Sequence, residues 1–189
     1  GVHDELLEKI ALLCDKVVLG SGFDAGTTMG PVISAQSRAR IEDAIGRAVA
    51  AGATAVRDGR GADPRTSSAT ADGYFVGPTV LTGIVERDKE EIFGPVLEIH
   101  RAGTPEEAIA LSNDTPFGNA ATVYTRSGAT ARAFEKAFRA GNIGINAFPA
   151  PPANFTMGGL GDSFYGDVHI CGDDPLRFYT EQKLVVSRW

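Results

Sequence analysis

The sequence predicts an α/β fold with a mainly parallel open sheet and crossover helices. Three observations predict it. Strand-like runs alternate with helical periodicities of about ten to fifteen residues, which implies crossovers and therefore parallel pairing. The helices carry their own start and stop residues. Of the 189 residues 43% are apolar and 22% charged, too apolar for a disordered chain and enough to bury a core.

Taken in order, the chain opens as an amphipathic helix by residue 4, with Leu6, Leu7, Ile10, Leu13, Cys14 and Val17 at three- and four-residue spacing. Gly20 to Pro31 is a glycine-rich loop. Ser34 opens a second helix with the stripe Ile41, Ala44, Ile45, Ala48 and Val49, and Gly52 stops it. Ala53 to Val56 is a strand, and residues 57 to 73, without periodicity, make a mobile surface loop. Tyr74 to Val76, Thr79 to Leu81 and Val96 to His100 read as strands. Thr104-Pro105-Glu106-Glu107 places an N-cap, a first-turn proline and two acids at the positive end of a helix dipole. Ala121 to Thr125 follows as strand. Ser127 caps a helix with the stripe Ala131, Phe134, Ala137 and Phe138 and Gly141 as its stop, and Asn142 to Asn146 is a strand.

After residue 147 the pattern changes. Phe148-Pro149-Ala150-Pro151-Pro152 cannot lie in a central strand, because proline lacks the ladder donor. Gly158 to Gly161 continues as irregular chain. Phe178 to Thr180 and Lys183 to Arg188 return to strand composition. The terminal strand either pairs outside the compact body or closes the same sheet; bare, it is an aggregation-prone edge.

Composition excludes several functions. Eighteen basic against 24 acidic residues give a net charge of −6, which repels nucleic-acid backbones. Apolar runs such as Ile10 to Cys14 fall far short of a bilayer span, and no basic segment precedes a hydrophobic one at the start, so a cytoplasmic location without membrane contact is expected. The start itself, a helix with no initiator Met, reads as a segment of a longer protein.

Among groups with chemistry, Cys14 lies on the first helix's apolar stripe, which fits an inert core thiol better than a nucleophile. Cys171 lies in a turn beside Asp173 and Asp174, acids that oppose thiolate formation. His3, His100 and His169 show no ligand spacing, and two cysteines form no four-ligand site, so no metal is expected. Gly20-x-Gly22 lacks the frame of a dinucleotide turn, and no G-x-S-x-G elbow is present. The charge run Glu86-Arg87-Asp88-Lys89-Glu90-Glu91 ends abruptly at Ile92-Phe93-Gly94-Pro95-Val96. There Glu91 and Phe93, two residues apart, share one face of extended chain before a glycine-proline turn.

Glu90 to Leu97 resembles the E-I/E-F-G-P-V signature of the NAD(P)-dependent aldehyde dehydrogenase superfamily. The likeness continues in Asp24 to Ile33 (ending in G-P-V-I), Gly73 to Val80 (G-Y-F-V-G-P-T-V), Asn113 to Ala121 (N-D-T-P-F-G-N-A-A) and Gly141 to Asn146 (G-N-I-G-I-N), in family order over essentially the whole chain. Phe164-Tyr165-Gly166-Asp167, Arg177 to Lys183 and the closing Arg188-Trp189 are similar to the CoA-acylating methylmalonate-semialdehyde dehydrogenase branch. Asn146 to Pro152 departs from that branch's N-V-P-I-P-V-P, and Gly158 to Gly161 stands where many bacterial members have G-G-W-K.

The resemblance implies residues 1–147 as the C-terminal part of an aldehyde dehydrogenase catalytic domain, and 148–189 as a substrate-entrance loop and an oligomerisation arm. It implies a small-molecule aldehyde as substrate, NAD (or NADP) as cofactor, CoA (or water) as acyl acceptor, and a homo-oligomer joined through Leu184-Val185-Val186. The nucleophilic Cys and the cofactor domain would lie upstream of Gly1. No catalytic residue is then expected in these 189 residues, which alone would be inactive. The whole enzyme would form a thiohemiacetal on that Cys, pass hydride to NAD and release the thioester to CoA. Glu91 would accept hydrogen bonds from the nicotinamide-ribose hydroxyls, and Phe93 would pack beside the nicotinamide, the alternative for Phe93 being a core aromatic. The Phe148 to Phe155 loop would border the aldehyde. A non-catalytic module serving only association is the competing reading.

Overall fold

Ser34 sets the first large element. Its hydroxyl accepts from the Ser37 amide at 3.1 Å, satisfying a donor that the first turn leaves free, and helix α2 follows over Ala35–Ala50. The computed structural model describes residues 2–62, 64, 73–85, 89–149, 153–166, 169 and 171–189. These fall into two compact units, residues 1–101 and 102–189.

The first unit holds α1 (His3–Cys14), α2, β1 (Thr54–Arg57), β2 (Thr79–Thr82) and β3 (Val96–Ile99). The strands lie in the order β1-β2-β3, with β2 parallel to β3 and β1 antiparallel to β2. Ile41 and Ile45 of α2 pack with Val76 and Leu81 in a fully buried cluster, bordered by Val32, Ala48, Ile92 and Val96. Thr79, the polar residue buried beside them, is satisfied: its hydroxyl accepts from the Gly59 amide at 3.0 Å.

The second unit holds α3 (Pro105–Asn113), β4 (Phe117–Gly118), β5 (Ala120–Val123), α4 (Gly128–Ala137), β6 (Asn142–Ile145), β7 (Leu160–Gly161) and α5 (Asp174–Tyr179). β5 and β6 are parallel and joined through α4, the crossover unit that the alternating pattern predicts. β4 and β7 pair antiparallel. Thr104 and Ser127 cap α3 and α4 as expected, each accepting from the amide three residues on. The Asn113 amide bridges the two helices' ends, donating to the Ala137 carbonyl and accepting from the Arg139 amide.

The α/β architecture follows the sequence; several details differ. Leu6 and Leu13 are exposed, while Leu7 and Ile10 of the expected stripe turn inward together with Ala11. Cys14 is half-buried. Tyr74 to Val76 forms no strand, although Phe75 and Val76 are buried and the Tyr74 carbonyl accepts from Val32. The loop expected to be mobile begins inside β1, and Gly59 is held by bonds to Thr79 and Gly77. Residues 63 and 65–72 of that loop, and 86–88 of the charge run, lie outside the described residues. α4 ends at Ala137, ahead of Gly141. Phe178 and Tyr179 are helical, because Asp173-Asp174-Pro175 starts a turn of helix that their strand propensity does not oppose. Residues 183–188 pair with no strand among the described residues. Among the described residues no helix is long and apolar enough to cross a membrane.

α1 is tied to β1 by a two-pronged ion pair: Arg57 Nε and Nη2 donate to Asp15 Oδ1 and Oδ2 at 2.9 and 2.8 Å. The hydrogen bonds from Arg57 hold the Asp15 carboxyl below the usual carboxylate range. A carboxyl lowered in the folded state adds stability above its unfolded value, and that stability is lost as pH falls through the folded value. The stability gap between the wild type and Asp15→Asn is therefore expected to be present at neutral pH and to close below about pH 4. Thermal unfolding across a pH series measures it; a gap that does not change with pH contradicts the pairing.

Candidate functional site

The segment from Glu91 to Val96 is built by alternation. Ile92 and Val96 pack against the core cluster, which leaves Glu91 and Phe93 on the outside. Gly94 lies directly on α2: a Cβ there would stand 2.6 Å from Ile41 Cδ1, so no side chain fits. Arg40, one residue before Ile41, donates from Nη1 to the Glu91 carbonyl at 3.2 Å. The turn is thus held by an apolar anchor, a close backbone contact and one charged donor.

Both predicted residues are brought to the surface on this turn. Glu91 is exposed, and Phe93 is 77% exposed. The expectation of extended chain fails at Phe93, whose φ is +49°. An L-residue with a Cβ meets its own carbonyl there, at about 1–2 kcal/mol, and a bulky residue in that region is unusual outside functional turns.

In the second unit, a groove of about 530 Å³ lies along β6 and the chain beyond it. Ile143, Ile145, Phe148 and Phe155 give it apolar walls, with Asn142 and Thr156 the polar residues on its described lining. Crevices at the carboxyl ends of parallel strands are the usual ligand positions in open α/β sheets. Two asparagines set its frame. Asn142 Nδ2 donates to the carbonyls of Asn119 and Gly158 at 3.1 and 3.0 Å. Asn146, at φ +54°, accepts from the Thr125 amide and donates to its carbonyl, locking the end of β6 to the end of β5. Gly141 serves the same frame rather than stopping a helix, since a Cβ there would lie 1.9 Å from the Gly158 carbonyl oxygen.

The remaining candidates stay apart. Cys14 and Cys171 are both half-buried free thiols. His3 contacts Asp4 and Arg101, His100 contacts Glu98, and His169 contacts Asp174 while stacking on Phe164. No three His, Cys, Asp or Glu among the described residues are grouped to hold a metal. Sequence reasoning did not single out Arg40 or Asn142 as site residues. Arg40 acts on a carbonyl 51 positions away and leaves no local signal; the two amide bonds of Asn142 were concealed in a strand-like run.

An α/β fold with crossover-joined parallel strands carries an outward acid–aromatic turn in its first unit and a framed groove in its second. The sequence profile of the Aldehyde dehydrogenase family matches residues 1–185, and the chain belongs to that family. It is 41% identical over its whole length to malonate-semialdehyde dehydrogenase 2 of Bacillus thuringiensis subsp. konkukian, and 39% identical to malonate-semialdehyde dehydrogenase of Halalkalibacterium halodurans. It spans 39% of the length of each. The crystal structure of methylmalonate-semialdehyde dehydrogenase from Oceanimonas doudoroffii superposes with a TM-score of 0.92 at 37% identity, covering 100% of this chain and 39% of that one. A putative methylmalonate-semialdehyde dehydrogenase from Sinorhizobium meliloti, solved with NAD, gives 0.91 at 33% identity over 98% of this chain and 38% of that one.

The strain at Phe93 yields a stability test. Phe93→Gly relieves the left-handed backbone at the cost of greater unfolded-state freedom, and Phe93 buries little, so a net gain of about 0.5–1 kcal/mol is expected. Phe93→Ala, which keeps the Cβ, should show no such gain. Urea unfolding of both variants decides; equal stabilities contradict the strain.

Proposed function

We propose that this chain serves, in a protein of its relatives' length, the NAD-dependent oxidation of malonate- or methylmalonate-semialdehyde, with CoA taking the acyl group. The observation that carries the reading is similarity, over the whole chain, to malonate-semialdehyde dehydrogenases. NAD over NADP is favoured by the NAD-bound structural neighbour. Glu91 and Phe93 fit that cofactor: an exposed carboxylate offers two acceptor oxygens to ribose hydroxyls, and an exposed ring offers a face to the nicotinamide. NAD supplies the hydride acceptor when bound. The setting is the cytoplasm, where unpaired thiols such as Cys14 and Cys171 persist.

Neither thiol is the nucleophile in this reading. Cys14 is half-buried on α1, and Cys171 lies beyond β7, away in sequence from the family's position upstream of Gly1. The 189 residues alone are therefore expected to produce no NADH, while the full-length protein produces it from malonate-semialdehyde, faster with CoA than without. Glu91→Gln should raise the KM for NAD about tenfold or more, with thermal unfolding unchanged. Absorbance at 340 nm reads the NADH outcomes, and circular dichroism on heating reads the unfolding. NADH from the 189 residues, or none from the full-length protein, overturns the proposal, whereas indifference to CoA assigns water as acceptor.

The terminal segment supports assembly into a homo-oligomer. Leu184, Val185, Val186 and Trp189 are all exposed and unpaired among the described residues, and apolar backbone of this kind gains by adding to a neighbouring sheet. An association module without catalysis rests on the same residues. Removing residues 183–189 should lower the molar mass seen by light scattering; an unchanged mass contradicts the role.

A further inference from the structure

The start of α1 carries a cluster of charged groups that aldehyde oxidation does not use. His3, whose side chain is 16% exposed, sits among three partners. Its Nδ1 lies 2.9 Å from Asp4 Oδ1 and 3.0 Å from Nη2 of Arg101, just beyond β3. Its Nε2 lies 3.5 Å from the Thr82 hydroxyl of β2. Arg101 Nη2 also donates to Asp4 Oδ1, at 2.5 Å. The other charges of the packed elements pair elsewhere. Glu5 accepts from Lys9 Nζ at 2.6 Å, His100 meets Glu98 Oε2 at 3.2 Å, and Arg57 of β1 grips Asp15 beyond the far end of α1.

Donor accounting places the protons. The Thr82 hydroxyl donates to the Ile99 carbonyl at 3.1 Å, so towards His3 it can only accept, and Nε2 carries a hydrogen. Nδ1 then holds either a lone pair or a hydrogen. Bare, it accepts from Arg101 and opposes the Asp4 oxygen. Protonated, it donates to Asp4 and opposes the Arg101 guanidinium. One side of the triangle is repulsive in either state, and the proton decides which. The hydrogen bond from His3 and the charge of Arg101 hold the Asp4 carboxyl below the usual carboxylate range, so Asp4 stays charged wherever a histidine changes charge.

We propose that His3 is a proton-operated clip on the first turn of α1. Neutral, the ring bridges the helix to Arg101 at the end of β3. Protonated, it turns to Asp4 on its own helix, and that bridge is lost. The Asp4–Arg101 pair holds in both states, so acid loosens the start of the helix without releasing it. The clip does not depend on the aldehyde-oxidising reading.

Hydrogen–deuterium exchange of the full-length protein, read by mass spectrometry from about pH 5 to pH 8, where histidines as a class change charge, tests the clip. The slow exchange of the His3 ring C2 hydrogen gives the midpoint of its protonation. Arg101→Gln removes both the donor to the neutral ring and the charge that opposes the cation, so the midpoint is expected to move to higher pH. Asp4→Asn removes the charge that favours the cation, and the midpoint should move to lower pH. Asp4 and Arg101 are exposed, so both variants are expected to fold. Backbone amides at Leu6 and Leu7, corrected for the intrinsic effect of pH on exchange, should lose about threefold in protection as wild-type His3 takes up its proton, and show no such loss in Arg101→Gln. Any other pattern of midpoints, or wild-type protection that does not change with pH, overturns the clip. The wild-type amide readout decides by itself should either variant fail to fold.

Discussion

The contact between the Gly94 backbone and the Ile41 side chain governs the first unit. Ile41 is fully buried, and the space a Cβ would need at residue 94 is already filled by its Cγ1 and Cδ1 atoms. Ile41, in a close-packed interior, cannot give way cheaply. Holding 94 against α2 and Ile92 in the core leaves Glu91 and Phe93 one direction to point, outward. The left-handed φ at Phe93 is the local consequence of a chain that must reach Gly94 from an anchored Ile92. Arg40 adds a charged donor to the same turn, but its site is exposed, so packing, more than that bond, fixes the geometry.

The second unit reaches rigidity by a different route. Its strands are short, and few of its side chains are fully buried. Side-chain amides replace part of the missing ladder. Asn113 ties α3 to the end of α4, Asn142 joins β6 to the chain at Gly158, and Asn146 matches both backbone groups of Thr125. An amide carries both a donor and an acceptor, so one residue can satisfy two backbone groups that would otherwise be costly to leave unpaired.

Caps and periodicities made most of the elements legible in the sequence. Ser34, Thr104 and Ser127 act locally, within three residues, and each began the helix expected of it. Burial was harder to read. Periodicity placed Leu6 and Leu13 on the apolar stripe of α1, but it registers an apolar face without saying what covers it. Pairing direction was also hidden: β1 is antiparallel to β2 because of a connection whose composition carries no direction. Glu91 and Phe93 were visible because a motif marks them, whereas the φ of Phe93 depends on Ile41, some fifty residues earlier. Gly141 was read as a helix stop because local rules give glycine that use; its real constraint, Gly158, is a tertiary contact.

These differences separate the frame from the lining. The frame consists of residues whose chemistry has no substitute in place: Gly94 and Gly141 because nothing larger fits, Asn146 because its amide must meet two backbone groups while its own backbone is left-handed. The lining is the opposite case. Phe148 and Phe155 are exposed, and no hydrogen bond of the frame uses their side chains, so changing them costs the fold little. A family can keep its fold while exposed loop side chains vary.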